Sequence, residues 1–302
     1  MIRLIKQRLI RALRRNPGWL NRVERLVQDA RREPTVFLSY PIDSRPRYGH
    51  GLPPHSGLYE IINRNRASYQ SCLQSFLTYK EQLLRIPVDA PESSIEPYWG
   101  NTWLPCLDSL ALYCFIALQA PKRFFEIGSG NSTKFARRAI TDHRLSTRIV
   151  SIDPEPRAEI DSLCEETIRT PLEAVDLSLF DQLEAGDFLF VDCSHTVYMN
   201  SDSTVFFLEV LPRLKPGVIV QIHDVFLPYD YPPHWGDHYL GEQYLLASYL
   251  LAEGAKFNIL LPNAFITVDP ELSTELSPIW ETLKESAPAL NTEGGSFWLQ
   301  TN

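Results

Sequence analysis

Asp192, His195, His223 and Asp224 are the residues whose types and spacing invite chemistry. The apolar run Val218-Ile219-Val220-Gln221-Ile222 ends abruptly in His223-Asp224, and Phe188-Leu189-Phe190-Val191 ends in Asp192, with His195 shortly after. Carboxylates and an imidazole brought together at neighbouring strand ends can hold a divalent cation, so Asp192, His223 and Asp224 are the candidate ligands. Imidazole shifts the preference from Mg²⁺ toward Mn, Fe, Zn or Ni. A histidine of ordinary pKa, about 6.5, can take a proton from a hydroxyl at neutral pH, the catalytic role read for His195. The competing readings are structural: a hydrogen-bonded core histidine at 223, a loop cap at Asp224, and His195 bonded to Asp192. One condition attaches to convergence. Successive strand residues point to opposite faces, so His223 and Asp224 meet only if the strand has already ended, as the nearby Pro228 suggests.

A second constellation is the stretch FFEIGSGNSTKFARRAI, which reads strand, glycine turn, helix. Gly128 and Gly130 permit close backbone approach, and Asn131, Ser132 and Thr133 can cap a helix whose free N–H groups face the turn. Thr133 stands where a dinucleotide-binding fingerprint would need its third glycine. Glu126 sits poorly beside a pyrophosphate but well beside an ammonium group. Asp153, ending the next apolar run, is placed for ribose hydroxyls, and Glu173 for the adenine side. A ligand cationic at one end and carrying a ribose fits S-adenosylmethionine.

Elements must bring these residues to one edge. Strands are expected near 123–128, 148–153, 167–170, 187–192 and 217–223, and helices near 132–141, 156–165, 175–183, 202–213 and 241–253. Runs at 256–262 and 296–301 add a strand pair, with a helix near 274–285 before the last. The stretch 107–118 is apolar nearly all round and predicts a buried helix. This alternation signifies an α/β fold with a parallel sheet wrapped by helices. Rings gather before the buried helix (Tyr98, Trp99, Trp103) and after His223-Asp224 (Tyr229, Tyr231, Trp235, Tyr239). Trp99, Tyr229, Tyr231 and Trp235 are read as a substrate wall, with Glu242 and Gln243 lining the same cleft.

The motif E-x-G-S-G-x-S-T after a strand, Asp153 ending the next strand, and DFLFVD further on resemble class I S-adenosylmethionine-dependent methyltransferases. The resemblance spans roughly residues 99–302 and implies a Rossmann-like, doubly wound, mostly parallel seven-stranded sheet with an N-terminal helical extension. Within that superfamily, VDCSHTVY followed by LPRLKPGVIVQIHD is similar to the macrocin-type branch of small-molecule O-methyltransferases. That branch implies a divalent metal on acidic positions after the fourth and fifth strands, which Asp192, His223 and Asp224 match. It also implies a role near the substrate hydroxyl for His195. The chain departs from the pattern with His223-Asp224 in place of Asp-Asp and with Cys193 in place of a glycine. The implied activity is methylation of a hydroxyl on a sugar or aromatic natural product, with S-adenosylmethionine and a divalent metal (Mg, Mn or Fe). The alternatives are a metal-dependent oxygenase or hydroxylase, which two histidines and a carboxylate would suit, and a non-catalytic binding module.

Charge divides the chain. Residues 1–32 carry ten Arg and Lys against Glu24 and Asp29, although the 302-residue chain is net −8. An acidic body with a basic tail argues against nucleic acid as partner. Residues 1–33 read as a basic amphipathic helical tail, for docking on a peripheral membrane surface, on the body, or on a sister subunit of a homo-oligomer. Residues 34–98 read as a loop and helical cap, and 99–302 as the methyltransferase domain. Cys72, Cys106, Cys114, Cys164 and Cys193 show no metal or disulfide pattern, which fits a cytoplasmic protein.

Overall fold

Short runs of β-branched and aromatic residues form seven strands in the protein's computed structural model, which describes residues 40, 42–92, 95–252 and 257–302. They are β1 (Arg123–Ile127), β2 (Arg148–Ile152), β3 (Glu166–Ile168), β4 (Phe188–Val191), β5 (Ile219–Ile222), β6 (Phe257–Pro262) and β7 (Phe297–Thr301). All lie in one sheet of order β3-β2-β1-β4-β5-β7-β6. The first five strands are parallel, and β7 pairs antiparallel with both β5 and β6. The expected Rossmann-like, mostly parallel α/β sheet of seven strands is the observed fold. The basic tail expected over 1–33 lies outside the described residues.

Register does the positioning. Ile127 of β1 pairs with Ile152 of β2 and Val191 of β4, and Val191 pairs with Ile222 of β5. The next residues, Gly128, Asp153, Asp192 and His223, therefore emerge along one carboxyl edge. The strand order reverses between β1 and β4, opening the crevice that ligands use in such sheets.

Among the described residues, six helices of eight or more residues pack around this sheet: α1 (Ser56–Asn63), α2 (Arg66–Phe76), α3 (Cys106–Gln119), α4 (Asn131–Asp142), α5 (Glu242–Leu251) and α6 (Ser277–Ser286). Every residue of α3 from Cys106 to Ile116 is buried, including Asp108 and Ser109. The chain before α3 forms successive short helices, with breaks near Asn65 and again at Leu77.

Two expected helices are corrected. Residues 156–165 form only a 3-10 turn at Asp161–Leu163, because Pro154 and Pro156 remove backbone donors at the start of the crossover. That loop is pinned instead from outside: the Arg137 guanidinium donates to the Leu163 carbonyl at 2.8 Å, and Arg169 pairs with Asp161. Residues 175–183 likewise form a 3-10 turn, Leu177–Gln182, capped by Asp176. The segment at 202–213 starts on a capping box, in which Ser201 and Thr204 each accept the other's backbone N–H. It then widens into a π-helical turn at Phe206–Val210 before a final 3-10 turn.

Candidate active site

The glycine turn after β1 is built by contacts that a local pattern announces. Gly128 has φ +78°, and a Cβ there would lie 1.8 Å from the Asp192 carbonyl oxygen, so only glycine lets the ends of β1 and β4 come this close. Gly130 differs: its φ of 170° is open to any residue, and an added Cβ would meet only empty space at the cavity. Asp153 accepts the Ser129 N–H on one carboxylate oxygen and the Glu155 N–H on the other, both at 2.8 Å. Each oxygen keeps a lone pair for a ligand hydroxyl. Asn131 donates to Asn101 at 3.2 Å, tying the start of α4 to the loop before α3.

Glu126 is fully buried and does not line the cavity. It lies beneath the turn, where the Thr133 hydroxyl donates to its Oε2 and itself accepts the Gly130 N–H at 3.1 Å. Thr133 thus braces the turn at the position where a third glycine would otherwise pack. Glu126 Oε1 is buried without a partner. Burial pushes its pKa up to about 7, against hydrogen bonds from Ser132, Thr133 and Ser129.

At the ends of β4 and β5, Asp192, His223 and Asp224 bring ligand atoms within 4.8 Å of one another. His223 is still in the sheet ladder, its N–H donating to the Val191 carbonyl at 2.9 Å. Asp224 has φ +54°, a left-handed turn that ends the strand and swings its carboxylate to the side of His223. The alternation objection is thereby met. His223 Nδ1 lies 3.6 Å from Asp192 Oδ1 and 3.5 Å from Asp224 Oδ1. The ring is buried, and neither nitrogen has a hydrogen-bonding partner. An orphaned imidazole facing two carboxylates fits a cation of borderline softness better than Mg²⁺.

His195 completes the cluster. It too has a left-handed backbone, φ +57°, fixed by Gly241 and Glu242 N–H groups donating to its carbonyl. Its Nδ1 lies 2.6 Å from Glu242 Oε2, and its Nε2 lies 3.3 Å from Asp192 and 3.4 Å from Asp224. Burial works against charging this ring, but Asp192 and Glu242 outweigh it and raise its pKa to about 10. The expectation of an ordinary imidazole near neutrality is therefore corrected: the carboxylates around His195 hold it well above the usual range. Burial acts to raise the Asp192 pKa, but His223 and His195 hold it below the ordinary carboxylate range. Asp224 shifts the other way, because burial exceeds the help of the same two histidines.

A cavity of about 970 Å³ joins the two constellations. Gly128, Gly130, Asn131, Ser132, Asp153 and Glu173 line it, as do Asp192, His195, His223, Asp224 and Trp235. Three proposed wall residues do not. Trp99 is buried in the core against Phe135 and Trp280, its indole N–H donating to the Leu83 carbonyl, and its neighbours Tyr98 and Trp103 face the cavity instead. Tyr229 packs its side chain against Gly49. Tyr231 is buried, with its hydroxyl accepting the Gln243 N–H at 3.2 Å. Those two rings hold the loop in place, and Trp235 with His238 forms its cavity face. In the same cavity, Arg157 lies over the Trp103 ring at 4.5 Å.

Asp108 was missed from sequence, although a lone carboxylate in an otherwise apolar helix is itself a signal. Its carboxylate is fully buried, 3.5 Å from His223 Nε2.

Residues 125–225 match a family of methyltransferase domains. No curated protein sequence matches the chain significantly. Among solved structures, the chain is similar to the SAH-bound Podospora anserina methyltransferase PaMTH1, at 17% identity over 84% of this chain and 100% of that one, with a TM-score of 0.38. It is also similar to cmcI-D160 with Mg and SAM, at 14% identity over 89% and 90% of the two chains and a TM-score of 0.38. The plantazolicin methyltransferase BpumL, in complex with a pentazolic desmethylPZN analog and SAH, is 13% identical over 81% of this chain and 99% of its own, with a TM-score of 0.42. The oxygenase alternative gains no support from the matched family. Among the described residues, no helix is long and apolar enough to cross a membrane, and all five cysteines are free thiols.

Proposed function

We propose that the protein transfers the methyl group of S-adenosylmethionine to a hydroxyl of a small molecule, a sugar or an aromatic natural product. The observation that carries this reading is the single cavity shared by the Gly128–Asn131 turn, Asp153 and the Asp192-His195-His223-Asp224 cluster. The match of residues 125–225 to methyltransferase domains supports it independently.

Gly128, Gly130, Asn131 and Ser132 would hold the methionyl part, Asp153 the ribose and Glu173 the adenine side, with Glu126 bracing the turn from below. S-adenosylmethionine supplies an electrophilic sulfonium methyl. What remains for the chain is to orient the acceptor and manage one proton. His195 is placed to take that proton at Nε2 in its neutral form, which a cation beside Asp192 and Asp224 would favour, with Glu242 holding its other nitrogen. Asp192, His223 and Asp224 would hold a divalent cation, whose positive charge favours the deprotonated form of a nearby hydroxyl. Trp235 and Trp103 would pack the acceptor's flat or apolar face.

Calorimetric titration of the full chain with S-adenosylmethionine and with S-adenosylhomocysteine, with and without Mn²⁺, tests the reading. Micromolar binding of both nucleosides is expected. Absence of heat for both under both conditions would refute methyl transfer.

A further inference from the structure

His223 stands where an all-carboxylate cation site would place a third acid, and the structure offers a reason in Asp108. This carboxylate is fully buried on α3, within an otherwise apolar face. Its Oδ1 accepts from Ser296 N (2.9 Å), Gly295 N (3.1 Å) and Asn263 Nδ2 (2.7 Å), and its Oδ2 accepts from Gly295 N at 2.8 Å. Three donors, one of them shared by both oxygens, fix the group rigidly, and its Oδ2 lies 3.5 Å from His223 Nε2, at ion-pair range. The other ring nitrogen, Nδ1, faces Asp192 and Asp224. The imidazole is therefore suspended between one carboxylate behind it and two in front, and neither nitrogen has a closer partner. A carboxylate at position 223 would instead meet Asp108 across a buried gap with no intervening positive charge, which the low dielectric penalises.

We propose that Asp108 is a positioning residue: it holds the His223 N–H at Nε2, so that the Nδ1 lone pair joins Asp192 and Asp224 in a donor set that selects Mn²⁺ or a similar transition metal over Mg²⁺. A metal-binding imidazole needs its second nitrogen anchored in this way, and loss of such an anchor costs about 10- to 100-fold in metal affinity. The inference rests on the proposed cation site.

The test is calorimetry of the full-length protein with Mn²⁺ and with Mg²⁺. The wild type is expected to prefer Mn²⁺. Asp108→Asn is expected to lose about 10- to 100-fold in Mn²⁺ affinity with little change for Mg²⁺, while its circular dichroism and its thermal shift with S-adenosylhomocysteine stay as in the wild type. A merely structural role would lower thermal stability and leave the Mn²⁺/Mg²⁺ ratio unmoved, and that result would overturn the proposal. Should Asp108→Asn not fold, His223→Asp probes the same pair from the other side. With Asp108 intact it should gain no Mg²⁺ affinity, and tight Mg²⁺ binding by it would overturn the proposal. A wild type that binds neither metal yet binds S-adenosylhomocysteine would remove the cation site and this inference with it, leaving methyl transfer standing.

Discussion

The two ends of the cavity are built by different means. At the glycine turn, backbone groups and short side chains close in sequence do most of the work: Gly128 meets the Asp192 carbonyl, Asp153 takes two N–H groups, and Thr133 bridges Gly130 to Glu126. At the ends of β4 and β5, side chains from four separate segments converge, and two of them, His195 and Asp224, need left-handed backbones to do so. The difference teaches that the cradle tolerates changes that preserve its backbone path. The cluster instead has buried carboxylates from α3 and α5 standing behind its two imidazoles.

His195→Ala should separate the ends most sharply. Stopped assays are expected to show kcat reduced by about 10²- to 10⁴-fold, the usual worth of a positioned acid or base, with S-adenosylhomocysteine affinity nearly unchanged. An equal loss in both quantities would break the division.

The two glycines of the cradle should then behave differently. Gly128→Ala, with its methyl driven into the Asp192 carbonyl at positive φ, is expected to lose about 3 kcal/mol in chemical denaturation. Gly130→Ala should fold with stability within about 0.5 kcal/mol of the wild type. Its methyl projects into the cavity and should weaken cofactor binding about tenfold, a cost of about 1.4 kcal/mol.

Glu126 sharpens the comparison through pH. Its folded pKa of about 7 lies above its ordinary value of 4.5, so the folded protein holds a proton there that the unfolded chain releases. The resulting stability is fully present below pH 4.5 and is lost as pH rises through 7. Glu126→Gln removes this dependence. Unfolding free energies of variant and wild type should agree near pH 4.5 and diverge by up to about 3 kcal/mol in favour of the variant at pH 8. Parallel curves would show that the buried carboxylate is not the source. The smallest effect belongs to Trp235→Ala, expected to raise the acceptor KM several-fold, with kcat held within about twofold because only packing is lost.

The glycine turn was legible because its signals are local. A strand period, two glycines and a run of capping residues fall within one short stretch, and Asp153 follows at the next strand end. The ring wall was less legible. Tyr229, Tyr231 and Trp235 share one loop composition, yet only Trp235 faces the cavity, because Gly49 and Gln243 capture the other two. Trp99 was misplaced for the same reason: an aromatic residue reads alike in a core and at a cavity. The helices expected at 156–165 and 175–183 shrank to 3-10 turns because proline and side-chain anchors overrode their helical periodicity.

What the amino-acid order determined by itself is the alternation of strand and helix, the carboxyl-edge placement of Gly128, Asp153, Asp192 and His223, and hence the neighbourhood of the site. These follow from backbone periodicity and turn chemistry, which act over a few residues. Only the tertiary structure decided that Asp224 turns back toward His223, that Glu242 and Asp108 stand behind the two imidazoles, and that the carboxylates around His195 raise its pKa. Electrostatics in a buried cluster depends on which distant charges share its low-dielectric space, and that is fixed by packing rather than by order along the chain.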